Sequence, residues 1–187
     1  TEVRQLSPTY RRVLASLTET PERLRTVQRG DRIGPWQVLH PLGMDRFRQA
    51  DDDAVILRGA FHGVHGLLLS DLGRAGQEAL MERETDLHAD IVIAGMPAQG
   101  EPLCDGLIDR IAPQVVVIAD SEFPAPERAT VRLRARLASR GTTVLYLRET
   151  GTAQVQFRRR SWTLHTMQGM RVRFTKRNFT RRFGQGS

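Results

Sequence analysis

A chain of 187 residues can bury a sizeable core without covalent staples, and 40% hydrophobic with 26% charged residues excludes wholesale disorder. A single cysteine, Cys104, excludes an internal disulfide and a cysteine-rich zinc site, and no run approaches the roughly 20 apolar residues of a membrane span. The net charge of +7 is unevenly placed: no acidic residue follows Glu149, while Arg158, Arg159, Arg160, Arg171, Arg173, Lys176, Arg177, Arg181 and Arg182 crowd the C-terminal part. The chain opens at Thr1 without a methionine and shows no signal peptide, so it reads as a processed product or as a piece of a longer protein.

In chain order, Ser7-Pro8 opens an amphipathic helix running to Leu17. Thr20-Pro21-Glu22 reads as a second helix start, ending near Gly30. Trp36 to His40 is a short strand between the Gly34-Pro35 turn and Pro41. Gly43 to Asp53 is a polar loop with the triplet Asp51-Asp52-Asp53. Ala54 to Phe61 and Val64 to Ser70 form a hairpin about His62-Gly63, and Asp71-Leu72-Gly73 turns into a helix from Gln77 to Thr85. Strand and helix then alternate: strands Asp90–Ala94, Val115–Ala119 and Thr143–Leu147, helices Pro102–Ile111 and Ala125–Arg140.

The continuously apolar runs Ile91–Ala94 and Val115–Ala119 are those of strands covered on both faces. In the last helix Val131, Leu133 and Leu137 supply the buried face, and Arg128, Arg132, Arg134, Arg136 and Arg140 a solvated one. Ala153–Phe157 and Ser161–His165 read as a hairpin, with Met170–Phe174 as a further strand. The fold class expected is α/β, a mixed sheet with helices on the faces.

Asp71 stands at the carboxyl end of Leu67-Leu68-Leu69-Ser70, where it can bridge metals or cap the next helix; the cap needs no distant partner. Asp120 and Glu122 also follow a core strand, and with Asp71 they would make an oxygen-only magnesium site if the fold united them. His40, His62, His65, His88 and His165 show no paired ligand spacing and read as structural or surface residues. Ser70, Ser121 and Cys104 lack a nucleophile elbow or a base partner, and no phosphate-binding glycine motif exists. After the strand Ile91–Ala94 the loop carries Met96, Pro97 and Gln99, poor ligands for a hydrolytic metal. Glu101 follows, near the first turn of the next helix.

The candidate nucleic-acid contacts are Arg158, Arg159, Arg160, Lys176 and Arg177, as phosphate-binding cations. Phe157, Trp162 and Phe174 are interleaved with them, either as stacking platforms for bases or as core residues of the last hairpin. The alternative for the basic end is a solvated terminus.

Several landmarks occur in order: Val38-Leu39-His40-Pro41; Asp52-Asp53-Ala54-Val55-Ile56-Leu57-Arg58; Leu67-Leu68-Leu69-Ser70-Asp71-Leu72-Gly73; Ala89-Asp90-Ile91-Val92; and Ala112-Pro113-Gln114-Val115-Val116-Val117-Ile118. Over roughly Ser7 to Phe157 the chain resembles the metallo-β-lactamase-like domain at the C-terminal end of ComEC-type competence proteins, multi-pass membrane proteins of single-stranded DNA uptake in natural transformation. The resemblance implies part of an αββα layered sandwich over residues 1–157, and the charge distribution sets off a basic hairpin and tail over 158–187. It implies a soluble segment of a longer membrane protein, with single-stranded DNA and a membrane channel portion as partners.

The family's histidine-bearing segment falls here on Met96, Pro97, Ala98 and Gln99. A later family histidine falls near Phe123-Pro124 or Ala125-Pro126, the first histidine motif would precede Thr1, and Asp71 alone matches a metal-bridging position. The expectation is therefore a domain with no metal and no small-molecule cofactor, serving DNA transport without catalysis. The alternatives are a metal-dependent nuclease acting on the incoming strand and a scaffold module of a membrane complex.

Overall fold

The computed structural model describes residues 8–20, Glu22, 24–159 and 161–175. Helix α1 spans Pro8–Thr18, and residues 24–28 are irregular, so the second helix expected before Gly30 does not form there. A seven-stranded sheet follows: β1 (Arg32–Ile33), β2 (Trp36–His40), β3 (Ile56–Phe61), β4 (Val64–Leu68), β5 (Ile91–Ala94), β6 (Val115–Ile118) and β7 (Thr143–Tyr146). Three helices connect its later strands: α2 (Arg74–Arg83), α3 (Asp105–Ile111) and α4 (Val131–Ala138). The short α5 (Leu147–Thr150) leads to a three-stranded sheet of β8 (Ala153–Arg158), β9 (Ser161–Thr166) and β10 (Arg171–Thr175).

The order in the large sheet is β1-β2-β3-β4-β5-β6-β7, the order of the chain itself. Strands β1 to β4 pair antiparallel and β4 to β7 parallel. The β3–β4 hairpin turns through His62 (φ 52°) and Gly63 (φ 80°), two left-handed residues whose twist suits a two-residue turn. Parallel strands that advance in one direction, joined by right-handed crossovers, put all their helices on one face. Accordingly α2, α3 and α4 share one core: Leu80, Leu107, Ile111, Leu133 and Leu137 pack with Leu67, Val92, Val116 and Ile118.

The alternate strand residues Val64, Ile91, Val115, Val117 and Leu145 face the other way and would be bare. Trp162 and Leu164 of β9 cover them, flanked by Val155, Phe157, Met170 and Phe174. The fold is thus a mixed α/β arrangement in which helices cover one face of the large sheet and a small sheet covers the other. The dividing point placed between Phe157 and Arg158 falls inside β8.

The helix expected over Ala125–Arg140 is shorter. Ala125–Glu127 is a 3-10 turn, and α4 starts at the Thr130 cap, whose hydroxyl accepts from the Leu133 amide at 3.1 Å. Leu133 and Leu137 are buried, but Val131 is 85% exposed, because a residue two places before Leu133 falls on the opposite face of the helix. The arginines of α4 are not simply solvated. Arg134 reaches Glu149 at 2.7 Å, Arg136 reaches Glu101 and Asp105 at 3.4 Å, and Arg140 pairs with Asp105 and Asp109. Glu101 therefore serves α4, not the first turn of α3, which begins only at Asp105.

Candidate functional site

Two places could carry chemistry: the carboxyl ends of β4 to β6, and the outer face of the small sheet. At the first, Asp71 does not cap α2. The N-cap is Gly73, with no side-chain cap bond. Asp71 is exposed, and its carboxylate leans over Gly95 so closely that a Cβ there would collide with it. Partial burial and the nearby Asp51 and Glu127 push its carboxyl above the usual carboxylate range, since like charges disfavour ionisation. Asp51 accepts the Ala98 amide at 2.7 Å, tying the Gly95–Glu101 loop to the acidic triplet. In that loop Pro97 is buried and Met96 packs against the helix-side core, so both are structural fillers.

Asp120 has another occupation. Its buried carboxylate accepts the Arg148 amide at 3.0 Å and lies within 3.6–3.7 Å of the Arg148 and Arg134 guanidiniums. Glu122 pairs with Arg128 at 2.7 Å and Arg148 at 3.0 Å. Asp71, Asp120 and Glu122 therefore do not combine: among the described residues no three histidine, cysteine or acidic side chains converge as metal ligands. The strand order of the large sheet is monotonic. Ligand clefts in open parallel sheets form where the strand order reverses, and this order never does.

His40 is fully buried. Its Nε2 lies 2.7 Å from the Asp52 carbonyl, which makes it the protonated, donating nitrogen. Burial holds its pKa below the usual histidine value, so it is neutral at pH 7. Cys104 is buried as well, and its backbone amide donates to Gln77 Oε1.

The second place is built by strand parity. The register Gln156–Thr163–Arg173 runs across all three strands, with Arg158–Ser161–Thr175 one step to one side and Gln154–His165–Arg171 one step to the other. Residues at one parity are Gln154, Gln156, Arg158, Ser161, Thr163, His165, Arg171, Arg173 and Thr175, all polar. The other parity carries Val155, Phe157, Trp162, Leu164 and Phe174, which pack on the core. Gln156, Arg158, Ser161, Thr163, Arg171 and Arg173 together line one surface pocket. The three arginines are exposed on the outer strands, while Ser161 and Thr163 are buried between them on β9. Arg173 donates to Ser161 Oγ at 3.3 Å. Among the described residues no carboxylate pairs with Arg158, Arg171 or Arg173, in contrast to Arg134, Arg136, Arg140 and Arg148.

Of the five cations singled out from the sequence, Arg158 belongs to this pocket and Arg159 is exposed in the β8–β9 turn. Arg160, Lys176 and Arg177 lie outside the described residues. Arg171 and Arg173 complete the pocket, and sequence reasoning passed over them as site residues. The alternation Arg171-Val172-Arg173-Phe174 was the signal, a period of two that puts both arginines on one face. The aromatic residues are not base platforms: Trp162 is 0% exposed and stacks on Phe174 at 4.1 Å, and Phe157 stacks on Phe61 at 4.9 Å.

No helix of the described residues is long and apolar enough to cross a membrane. Comparison with protein families, with curated proteins and with solved structures returns no match for this chain.

Proposed function

We propose that this chain is a metallo-β-lactamase-like domain of the ComEC type, kept for DNA transport without catalysis, and that it holds single-stranded DNA on the arginine face of its small sheet. The observation that carries this reading is the pocket of Arg158, Arg171 and Arg173 with Ser161, Thr163 and Gln156, unneutralised by any described carboxylate. Guanidiniums with no carboxylate partner among the described residues are available to phosphates, and hydroxyls and carboxamides can donate beside them. The helix layer and two stacked sheets suit the α, β and β layers of an αββα sandwich. The emptied ligand positions at Met96 to Gln99 suit a fold retained for something other than hydrolysis. In this reading the domain is a segment of a longer membrane protein, and its second partner is the channel portion.

The test is an anisotropy titration with a labelled oligo(dT) strand at two salt concentrations. The chain is expected to bind more weakly at higher salt, and the triple variant Arg158→Gln/Arg171→Gln/Arg173→Gln to lose about tenfold or more at the lower salt. Binding that ignores both salt and the triple substitution would sink the proposal, as would no binding.

A further inference from the structure

The small sheet separates its aromatic side chains from its arginines by face. Its three aromatic residues, Phe157, Trp162 and Phe174, all lie at the parity that packs on the large sheet. Its three pocket arginines all lie at the other. Proteins that stack bases on a sheet present their aromatics outward, among the cations. Here the outward face has no such platform. The only ring at its parity among the described strand residues is His165, which is half-buried with its Nε2 out of solvent.

The cations also have a definite layout. Arg171 and Arg173 are two residues apart on β10, so their backbone anchors are about 7 Å apart. Arg158 stands two strands away on β8, about 10 Å across the sheet. Between them lie the hydroxyls of Ser161 and Thr163, short donors sunk beneath long cationic arms. A surface of this kind meets a ligand through charge and hydrogen bonds at its rim, with nothing flat to slide between bases.

Building on the DNA reading above, we infer that this face recognises the phosphodiester backbone alone: Arg158, Arg171 and Arg173 each take a phosphate, and the bases point away unread. The ligand class is a polyphosphate backbone carried by nucleic acid, irrespective of sequence and of whether bases are present.

A strand of abasic residues separates this from base recognition. The whole chain is titrated with equal-length labelled oligo(dT) and abasic strands at one salt concentration. The expected result is affinities within about threefold of each other, since both carry the same phosphates. Inorganic polyphosphate is expected to displace either strand. An abasic strand bound about tenfold or more weakly than oligo(dT) would overturn backbone-only recognition while leaving DNA binding in place, because lost stacking has that size. Failure of polyphosphate to compete would also overturn it. If neither strand binds, the DNA reading fails and this inference falls with it. The triple glutamine variant, titrated with both strands over a salt series, should show a log–log salt slope shallower by about 2, the amount expected for three released single-strand contacts.

Discussion

At the start of α2 the N-cap position is Gly73, which has no side chain to offer the amides of the first turn. The carboxylate of Asp52 supplies the acceptor from outside the helix, taking the Gly76 amide at 3.1 Å across 24 residues of chain. The same residue is held from behind by His40, through its carbonyl. Helix and turn come so close that a Cβ at Gly76 would lie 2.6 Å from the Asp52 carbonyl oxygen and 3.1 Å from its Cα. Backbone atoms cannot swing aside as a side-chain tip can. Gly76→Ala should therefore destabilise the fold by about 2–3 kcal/mol, overriding the roughly 1 kcal/mol that alanine normally gains in a helix. Asp52→Ala should cost about 1–2 kcal/mol through loss of the cap and its charge at the helix N-terminus. Urea unfolding followed by circular dichroism measures both. A Gly76→Ala protein more stable than the parent would refute the close-approach argument. The sequence offers Asp71, the adjacent acidic residue, as a cap or as a metal bridge. No local pattern identifies a cap brought in from a loop folded over the helix.

The elements themselves were largely legible. The strands announced themselves through apolar runs and through the hairpin at His62-Gly63, and β2 to β10 lie within a residue or two of their expected places, while the two-residue β1 is not anticipated. Helix α4 was overextended, because the Ala125-Pro126-Glu127 start belongs to a separate 3-10 turn. What could not be read was lateral register. Arg158 was grouped with its chain neighbours Arg159 and Arg160, whereas β9 brings it to Arg171 and Arg173, the better part of the site. The aromatic residues were left between core and base-stacking roles, a choice decided by which face of the small sheet turns inward. Trp162 is the main side chain fastening that sheet, buried on Phe174 against Val64, Ile91 and Leu145. Trp162→Ala should cost about 3–5 kcal/mol in thermal or urea unfolding. A cost below about 1 kcal/mol would mean that the small sheet contributes little to the fold.

At the scale of the whole molecule, strand order governs the rest. Because β1 to β7 follow the chain and the crossover helices share one side, the opposite face must be covered by something else, and the residues after Gly151 cover it. A chain ending at Gly151 should expose Val64, Ile91, Val115, Val117 and Leu145 as one apolar surface. Such a chain is expected to bind a hydrophobic dye and to sediment as aggregates. A monomer unfolding as cooperatively as the full chain would contradict the layered arrangement.

The same order has a consequence for synthesis. Each strand of the large sheet leaves the ribosome when the neighbour it must join has already been made, so the sheet can grow by simple addition. Its cover is made afterwards, over the 23 residues from Ala153 to Thr175. At ordinary elongation rates that interval is about 1–5 s. During it the nascent protein carries a finished helical side and an open, oily one. That interval is when a holdase would find most to grip.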